Sequence, residues 1–256
     1  MNAFATLNHS PFIVPDGPDL LEQVRAALDA GFSQVEVDIF SVHASIERNG
    51  APEVAAALRE VSVLGLAGLN VHDDADRTGA EIEGVLWAVD VTHPQWLLAR
   101  ITGELDRGAE LLREYLPRMR REGVRSALEP SPFTNVRSYS DAFRALEGTG
   151  EHGVVVDSWH FFASDCDWAA LETLTVDDVA YVQLEDAVPF SDDLQGDTFN
   201  RRALPGEGVM DVERFTRTLR ANGYTGPWSA EVMNAQWRAR PVADFARAAF
   251  DSLRPY

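Results

Sequence analysis

Lysine is absent from this chain: all 22 of its basic residues are arginines. Schiff-base aldolases and pyridoxal-phosphate enzymes are excluded at once, because both need a lysine amine as nucleophile. A lysine general base is excluded too, so proton transfer falls to carboxylates or histidine. Cysteine occurs once, as Cys166, so no intrachain disulfide can form and a reducing, cytoplasmic setting is expected. Basic residues are outnumbered by 41 acidic ones, and a net charge of −19 argues against nucleic acid, whose binding needs a basic face to displace counterions. No apolar run approaches the roughly 20 residues that cross a bilayer, so no membrane association is expected. The first residues, Met1 to Asn8, have neither a basic n-region nor a long apolar core, and no signal peptide is expected.

What is present is an alternation. Strand-like apolar runs at 3–7, 34–39, 65–71, 96–101, 124–129, 153–157, 179–184 and 227–232 alternate with helix-like segments near 18–30, 52–61, 79–89, 103–122, 138–147, 167–173, 211–222 and 241–253. Alternation of this kind implies parallel strands joined by crossover helices. Eight such pairs in 256 residues predict an α/β protein, a single (β/α)8 TIM barrel over 1–256, close to the roughly 250 residues typical of that fold. Leu105, Ala109, Leu112, Leu116 and Met119 repeat at helical spacing before Gly123, and Asp211 is a fair N-cap for the helix that Gly223 ends. The Gly/Asp-rich segment 185–210 reads as a long active-site cover.

Four runs in the second half each stop on an oxygen-bearing side chain: Glu129, Asp157, Gln183 and Glu231. Buried parallel strands are apolar throughout, and a carboxylate where such a strand ends sits at the barrel mouth. With strands about 4.8 Å apart, four consecutive ends span an arc of about 14 Å, from which inward side chains converge. Three crowded carboxylates repel one another unless a cation offsets them, and all-oxygen donors suit Mn2+ or Mg2+ better than Zn2+ or copper. Glu129, Asp157, Gln183 and Glu231 are therefore the expected metal ligands. A lone acid at a strand end can equally be a cap, and a buried glutamine can simply satisfy backbone groups; the four together favour a metal.

The segments Leu128-Glu129-Pro130, Val156-Asp157-Ser158-Trp159-His160, Val182-Gln183-Leu184-Glu185-Asp186, Arg202-Ala203-Leu204-Pro205-Gly206-Glu207-Gly208 and Ala230-Glu231-Val232 resemble, in order and interval, the xylose isomerase-like TIM-barrel superfamily of sugar isomerases and epimerases. The resemblance implies a divalent metal, commonly Mn2+ with Mg2+ or Co2+ as substitutes, held by Glu129, Asp157 and Glu231. It also implies substrate contacts from His160 and Arg202, of which Arg202 rather than Arg201 faces inwards. Most epimerases of the group carry histidine where Gln183 stands; glutamine looks more like the 3-dehydroshikimate dehydratases of the same superfamily. The likeness to endonuclease IV is one of fold alone, since the chain has neither a His-rich zinc site nor a basic groove. Barrels of this group often form dimers or tetramers, so a homo-oligomer is compatible with the resemblance, although no stretch of this sequence demands one.

The chemistry these residues support is proton abstraction next to a carbonyl through a metal-stabilised enediolate, with Glu129 or Glu231 as base. Return of the proton from the opposite face gives an epimerase or isomerase of a sugar, keto-sugar or cyclic polyol. Expulsion of a β-oxygen with His160 as acid gives a lyase. A non-catalytic polyol-binding barrel is the third reading. His160 lies among Trp159, Phe161 and Phe162 and could be a packed core residue; His72, Glu36 and Arg100 are further candidates for substrate contact, each as compatible with internal hydrogen bonds or a salt bridge. Phe133, Trp159, Phe161, Phe162, Phe190, Trp228 and Trp237 cluster near the strand ends and could shape a dry pocket or pack helices on the barrel.

Overall fold

The computed structural model describes residues 2–148 and 153–256. The reading of one domain over 1–256 takes in Met1 and residues 149–152, which lie outside the described residues. In chain order the strands are β1 (Ala3–Ala5), β2 (Gln34–Asp38), β3 (Ser62–Val71), β4 (Trp96–Ile101), β5 (Arg125–Leu128), β6 (Val154–Asp157) and β7 (Val179–Gln183). A short antiparallel ribbon follows, β8 (Asp186–Ala187) with β9 (Arg202–Ala203), and β10 (Trp228–Ala230) comes last. Strands β1 to β7 and β10 close into an all-parallel barrel, with β10 between β7 and β1. This is the (β/α)8 TIM barrel that the alternation predicts.

Two layers of apolar side chains separate along the strands, with period two wherever the strand is regular. Val35, Val37, Leu97, Ala99, Ile101, Leu128, Val154, Val156, Val182, Trp228 and Ala230 point out and pack under the helices. Ala3, Leu64, Ala67, Trp96, Leu98, Ala127, Val155 and Tyr181 point in and fill the barrel. The next inward positions along β4, β5, β6, β7 and β10 are then Arg100, Glu129, Asp157, Gln183 and Glu231. Register shifts in β2 and β3, between Val35 and Glu36 and between Ala67 and Leu69, break the simple count there.

The helices expected near 18–30, 103–122 and 211–222 run as Leu20–Ala30, Leu105–Arg121 and Val212–Ala221, each started by a carboxylate that accepts backbone N–H bonds: Asp19, Glu104 and Asp211. At the C-terminal face the helix Ile39–Asn49 starts directly from β2, and three short helices follow the later strands, Ser158–Phe162, Leu194–Asn200 and Ala235–Arg238. The 185–210 segment, expected as a long cover, thus carries the ribbon and a helix of its own. Asp186 ties the two ends of that segment together by accepting the amides of Ala187, Gly208 and Met210 at 2.8–2.9 Å. A side chain at residue 208 would strike the Ala187 carbonyl and the Asp186 carboxylate, so glycine is required there. No helix among the described residues is long and apolar enough to cross a membrane.

Candidate active site

Asp157 closes β6 and also starts the helix Ser158–Phe162, its Oδ1 accepting the His160 amide at 2.6 Å. One carboxylate therefore faces the barrel axis while fixing where the histidine three residues on must stand. Ser158 ties this turn to the end of β7: its hydroxyl donates to the Glu185 carbonyl, and the Glu185 amide donates back, both at 2.9 Å. Glu185, two residues past Gln183 and so of the same inward parity, accepts from the Trp159 amide at 3.0 Å.

Arg202 enters from β9 and is 1 % exposed. One of its terminal nitrogens donates to Glu231 Oε2 at 2.8 Å, Glu185 Oε1 at 3.1 Å and Asp157 Oδ2 at 3.2 Å. The other fixes Thr198 Oγ1 at 2.8 Å, and the guanidinium lies 5.2 Å from the Trp159 ring centroid. Arg201, by contrast, turns outwards onto Asp197. Glu129 projects from the end of β5 with Arg100 Nη2 at 3.5 Å and His160 Nε2 at 3.7 Å. Ligand atoms of Glu129, Asp157 and His160 all lie within 4.8 Å of one another.

Gln183 donates from Nε2 to Glu36 Oε1 at 2.6 Å and to Glu231 Oε1 at 3.0 Å. Glu231 is thus shared between Gln183 and Arg202, and Glu129, Asp157 and His160 form the tightest group of donors. Glu36 does not face the barrel mouth as a substrate contact would; it lies beneath Gln183, accepting from Tyr181 Oη at 3.1 Å and Ser229 Oγ at 2.7 Å. His72 does not join the cluster either. Asn70 takes the inward position at the end of β3, and the His72 ring turns to Glu81 and Thr102.

Five buried carboxyl groups, Glu36, Glu129, Asp157, Glu185 and Glu231, face two guanidiniums, Arg100 and Arg202. The excess of negative charge in a dry site shows in their proton affinities. Burial pushes Glu36 and Glu129 up to about 7, against the bonds from Ser229, Tyr181 and Gln183 in the first and the Arg100 charge in the second. Burial likewise raises Glu185 and Glu231 well above the carboxylate range, opposed by Arg202. Asp157 goes the other way: burial would raise it, but His160, Arg202 and the His160 amide outweigh that and hold it low. Burial lowers His160 to about 4, so its ring is neutral at neutral pH.

A divalent cation would offset the same charge excess. The donors fit one: both oxygens of Glu129 and Oε1 of Gln183 are buried with no hydrogen-bond partner among the described residues, and ligand atoms of Glu129, Asp157 and His160 come together. Buried polar atoms are almost always paired, so a group of unpaired acceptors converging with carboxylates suits a metal.

Above these residues a cavity of about 270 Å3 opens at the C-terminal face, with Arg100, His160 and Arg202 in its wall. Its apolar rim is Phe12, Phe40, Phe133 and Phe199. Only Phe133 belongs to the aromatic set singled out in the sequence. Phe161 and Phe162 pack on Trp168 and Phe215, Trp237 on Phe245, and Trp228 on Tyr224.

The family model described as xylose isomerase-like TIM barrel matches residues 24–256. A 3-dehydroshikimate dehydratase of Pseudomonas putida is 34% identical over 101 residues, which make up 40% of this chain and only 16% of that enzyme. An inosose isomerase of Halalkalibacterium halodurans is 25% identical over 134 residues, 51% of this chain and 47% of that protein. The chain therefore matches less than half the length of either relative. Among solved structures, the IOLI protein with a bound zinc atom superposes with a TM-score of 0.85 at 16% identity, covering 98% of this chain and 96% of that one. At that identity the likeness is one of fold. The match of the family model over 24–256 carries the rest, and the chain belongs to the xylose isomerase-like TIM barrel family.

Proposed function

We propose that this chain is a metal-dependent isomerase or epimerase of a keto-sugar or cyclic polyol that moves a proton at the carbon next to a carbonyl. The observation that carries this reading is the pair of buried carboxylates Glu129 and Glu231 at the ends of β5 and β10, one with neither oxygen in a hydrogen bond and the other clamped by Arg202 and Gln183. Glu129, Asp157, Gln183 and Glu231 would hold the metal, Mn2+ in this reading, with His160 beside them. When bound, a divalent cation supplies fixed charge against a developing oxyanion.

The chain's own side chains supply the proton chemistry. Glu129 is the more available base of the two, since at about 7 it is partly ionised at neutral pH and neither of its oxygens is taken up by a hydrogen bond. Glu231 faces it from the other side of the arc and can return the proton, while Arg202 compensates the charge left behind. Arg100, with its side chain 40% exposed beside Glu129, is placed to orient a substrate oxygen. Closure of the cavity by the phenylalanine rim would exclude water and strengthen each of these interactions. The identity with an inosose isomerase supports a polyol-derived ketone as substrate.

A second reading is favoured by Gln183 and by the segment shared with a dehydratase: the same first proton transfer followed by loss of a β-oxygen, with His160 as acid, in a cyclic hydroxy acid. Turnover in deuterium oxide separates the two. A panel of inososes, keto-sugars and cyclic hydroxy acids should give recovered carbohydrate exchanged at the α-carbon if the protein is an epimerase, and a new enone absorbance if it is a lyase. Exhaustive chelation should abolish either signal and lower Tm, because a ligand held only by the folded state stabilises it. Full activity in metal-stripped protein would overturn both.

A further inference from the structure

We infer that Glu36 is a positioning residue that fixes the amide of Gln183 so that its oxygen, not its nitrogen, faces the cation site; this rests on the metal reading above. Gln183 is completely buried, and both its N–H bonds are spent on carboxylates, Glu36 Oε1 at 2.6 Å and Glu231 Oε1 at 3.0 Å. A reversed amide would set its oxygen against those two acceptors with no hydrogen between them, and would turn an NH2 group towards the cation. Each Glu36 oxygen also accepts a hydroxyl, Tyr181 Oη on the same Oε1 that takes the Gln183 amide, so Glu36 meets that amide as an acceptor and tells its two ends apart.

Glu36 is itself held. Ser229 Oγ donates to one oxygen at 2.7 Å, and Tyr181 Oη to the other at 3.1 Å. Gly65 leaves the room: a Cβ there would come within 2.7 Å of Tyr181 Oη and 3.1 Å of Glu36 Cγ. Glu36 is 3% exposed and takes no part in the cavity wall, so it acts on the site through Gln183 rather than on substrate. A neutral amide replaces a charged or imidazole donor only when its oxygen is aimed, and β2 supplies the aiming group.

The substitution that tests this is Glu36→Gln, which keeps size and shape but brings an NH2 able to bond a reversed Gln183. In 15N-labelled metal-free protein, the Gln183 side-chain NH2, assigned by its loss in Gln183→Leu, should be protected from solvent exchange and should lose that protection in Glu36→Gln. Mn2+ affinity, read by electron paramagnetic resonance, should fall about 10- to 100-fold, the usual effect of removing an outer-shell partner. In a Gln183→Leu background Glu36→Gln should cost nothing more. Tyr181→Phe, which removes one of the hydroxyls that hold Glu36 while keeping its carboxyl group, should weaken Mn2+ in the same direction and serves if Glu36→Gln fails to fold. Unchanged amide protection with Mn2+ affinity within twofold of wild type would overturn the assignment, as would additive losses in the double variant. Wild-type protein that takes up none of Mn2+, Mg2+, Co2+ or Zn2+ would instead overturn the metal reading, and with it the positioning role of Glu36.

Discussion

The two ends of the barrel interior are built from the same strands and differ completely in chemistry. At the N-terminal end the inward side chains are Ala3, Leu64, Trp96, Leu98, Ala127 and Val155, a dry packed layer. Two residues further along the same strands stand Glu129 and Asp157, buried as well but ionisable, and the half-buried Arg100. One step of the pleat converts stability into reactivity. The lower layer is mainly apolar burial, its polar groups Glu36, Tyr181 and Ser229 satisfying one another, and so can support an upper layer in which charges lie close together at a cost.

If that division holds, the largest effect should come from the upper layer and be purely functional. On the proposed mechanism Glu231→Gln removes a proton-transfer group, and turnover should fall by about 10²- to 10⁴-fold. Because the substitution also removes a buried, crowded charge, Tm should stay within a few degrees of wild type or rise; wild-type turnover would take Glu231 out of the chemistry. The lower layer should behave oppositely. Leu98→Ala should cost roughly 2–5 kcal/mol in denaturant unfolding through lost burial and the cavity left behind, while Mn2+ affinity of the folded fraction stays near wild type. A matching loss of metal affinity would mean that the two layers are not separable.

A smaller effect tests whether buried polar groups away from the acid cluster are costly in the same way. His9 is 2% exposed, neither ring nitrogen has a partner among the described residues, and its ring lies 5.8 Å from that of Phe245. Burial, aided by the Arg238 charge, lowers it from 6.5 to about 4. Between those values the unfolded chain takes up a proton that the folded chain refuses. The stability contributed by neutral His9 is therefore complete above about pH 6.5 and is lost as pH falls towards 4, by about 3 kcal/mol at most. His9→Phe should flatten that part of the acid-unfolding profile relative to wild type; parallel profiles for the two proteins would count against a neutral buried His9.

The same pleat explains what the sequence made legible. Strands buried on both faces are apolar, so the last four barrel strands stand out as runs more clearly than the first four, and the residue that interrupts each run in the second half marks the rim. Inward parity then follows wherever the strand is regular, as from Ala127 to Glu129 and from Val155 to Asp157. It fails in β2 and β3, where register shifts intervene; this is why Glu36 reads as a rim contact and His72 as an inward one. Glu185 was within reach, since Tyr181, Gln183 and Glu185 share one parity, but it stands past the end of the apolar run where a strand pattern gives no warrant to continue. The helix Ile39–Asn49 begins directly on Asp38, so its first apolar residues read as more strand. The phenylalanine rim is drawn from two loops and from the helices Ile39–Asn49 and Leu194–Asn200, and no local pattern in the chain brings Phe12, Phe40 and Phe199 together.

Asp186 gathers three amides at one foot of the arch between β7 and the helix Val212–Ala221, and Arg202 is pinned at the other by the acids beneath it. Residues 188–196 therefore hang between anchored points, Thr198 just beyond them being bonded to Arg202. Replacing that span with segments of other length and composition would reshape what the mouth admits while the charged floor keeps its arrangement, so substrate range in this scaffold can drift, or be redirected, independently of the reaction it performs.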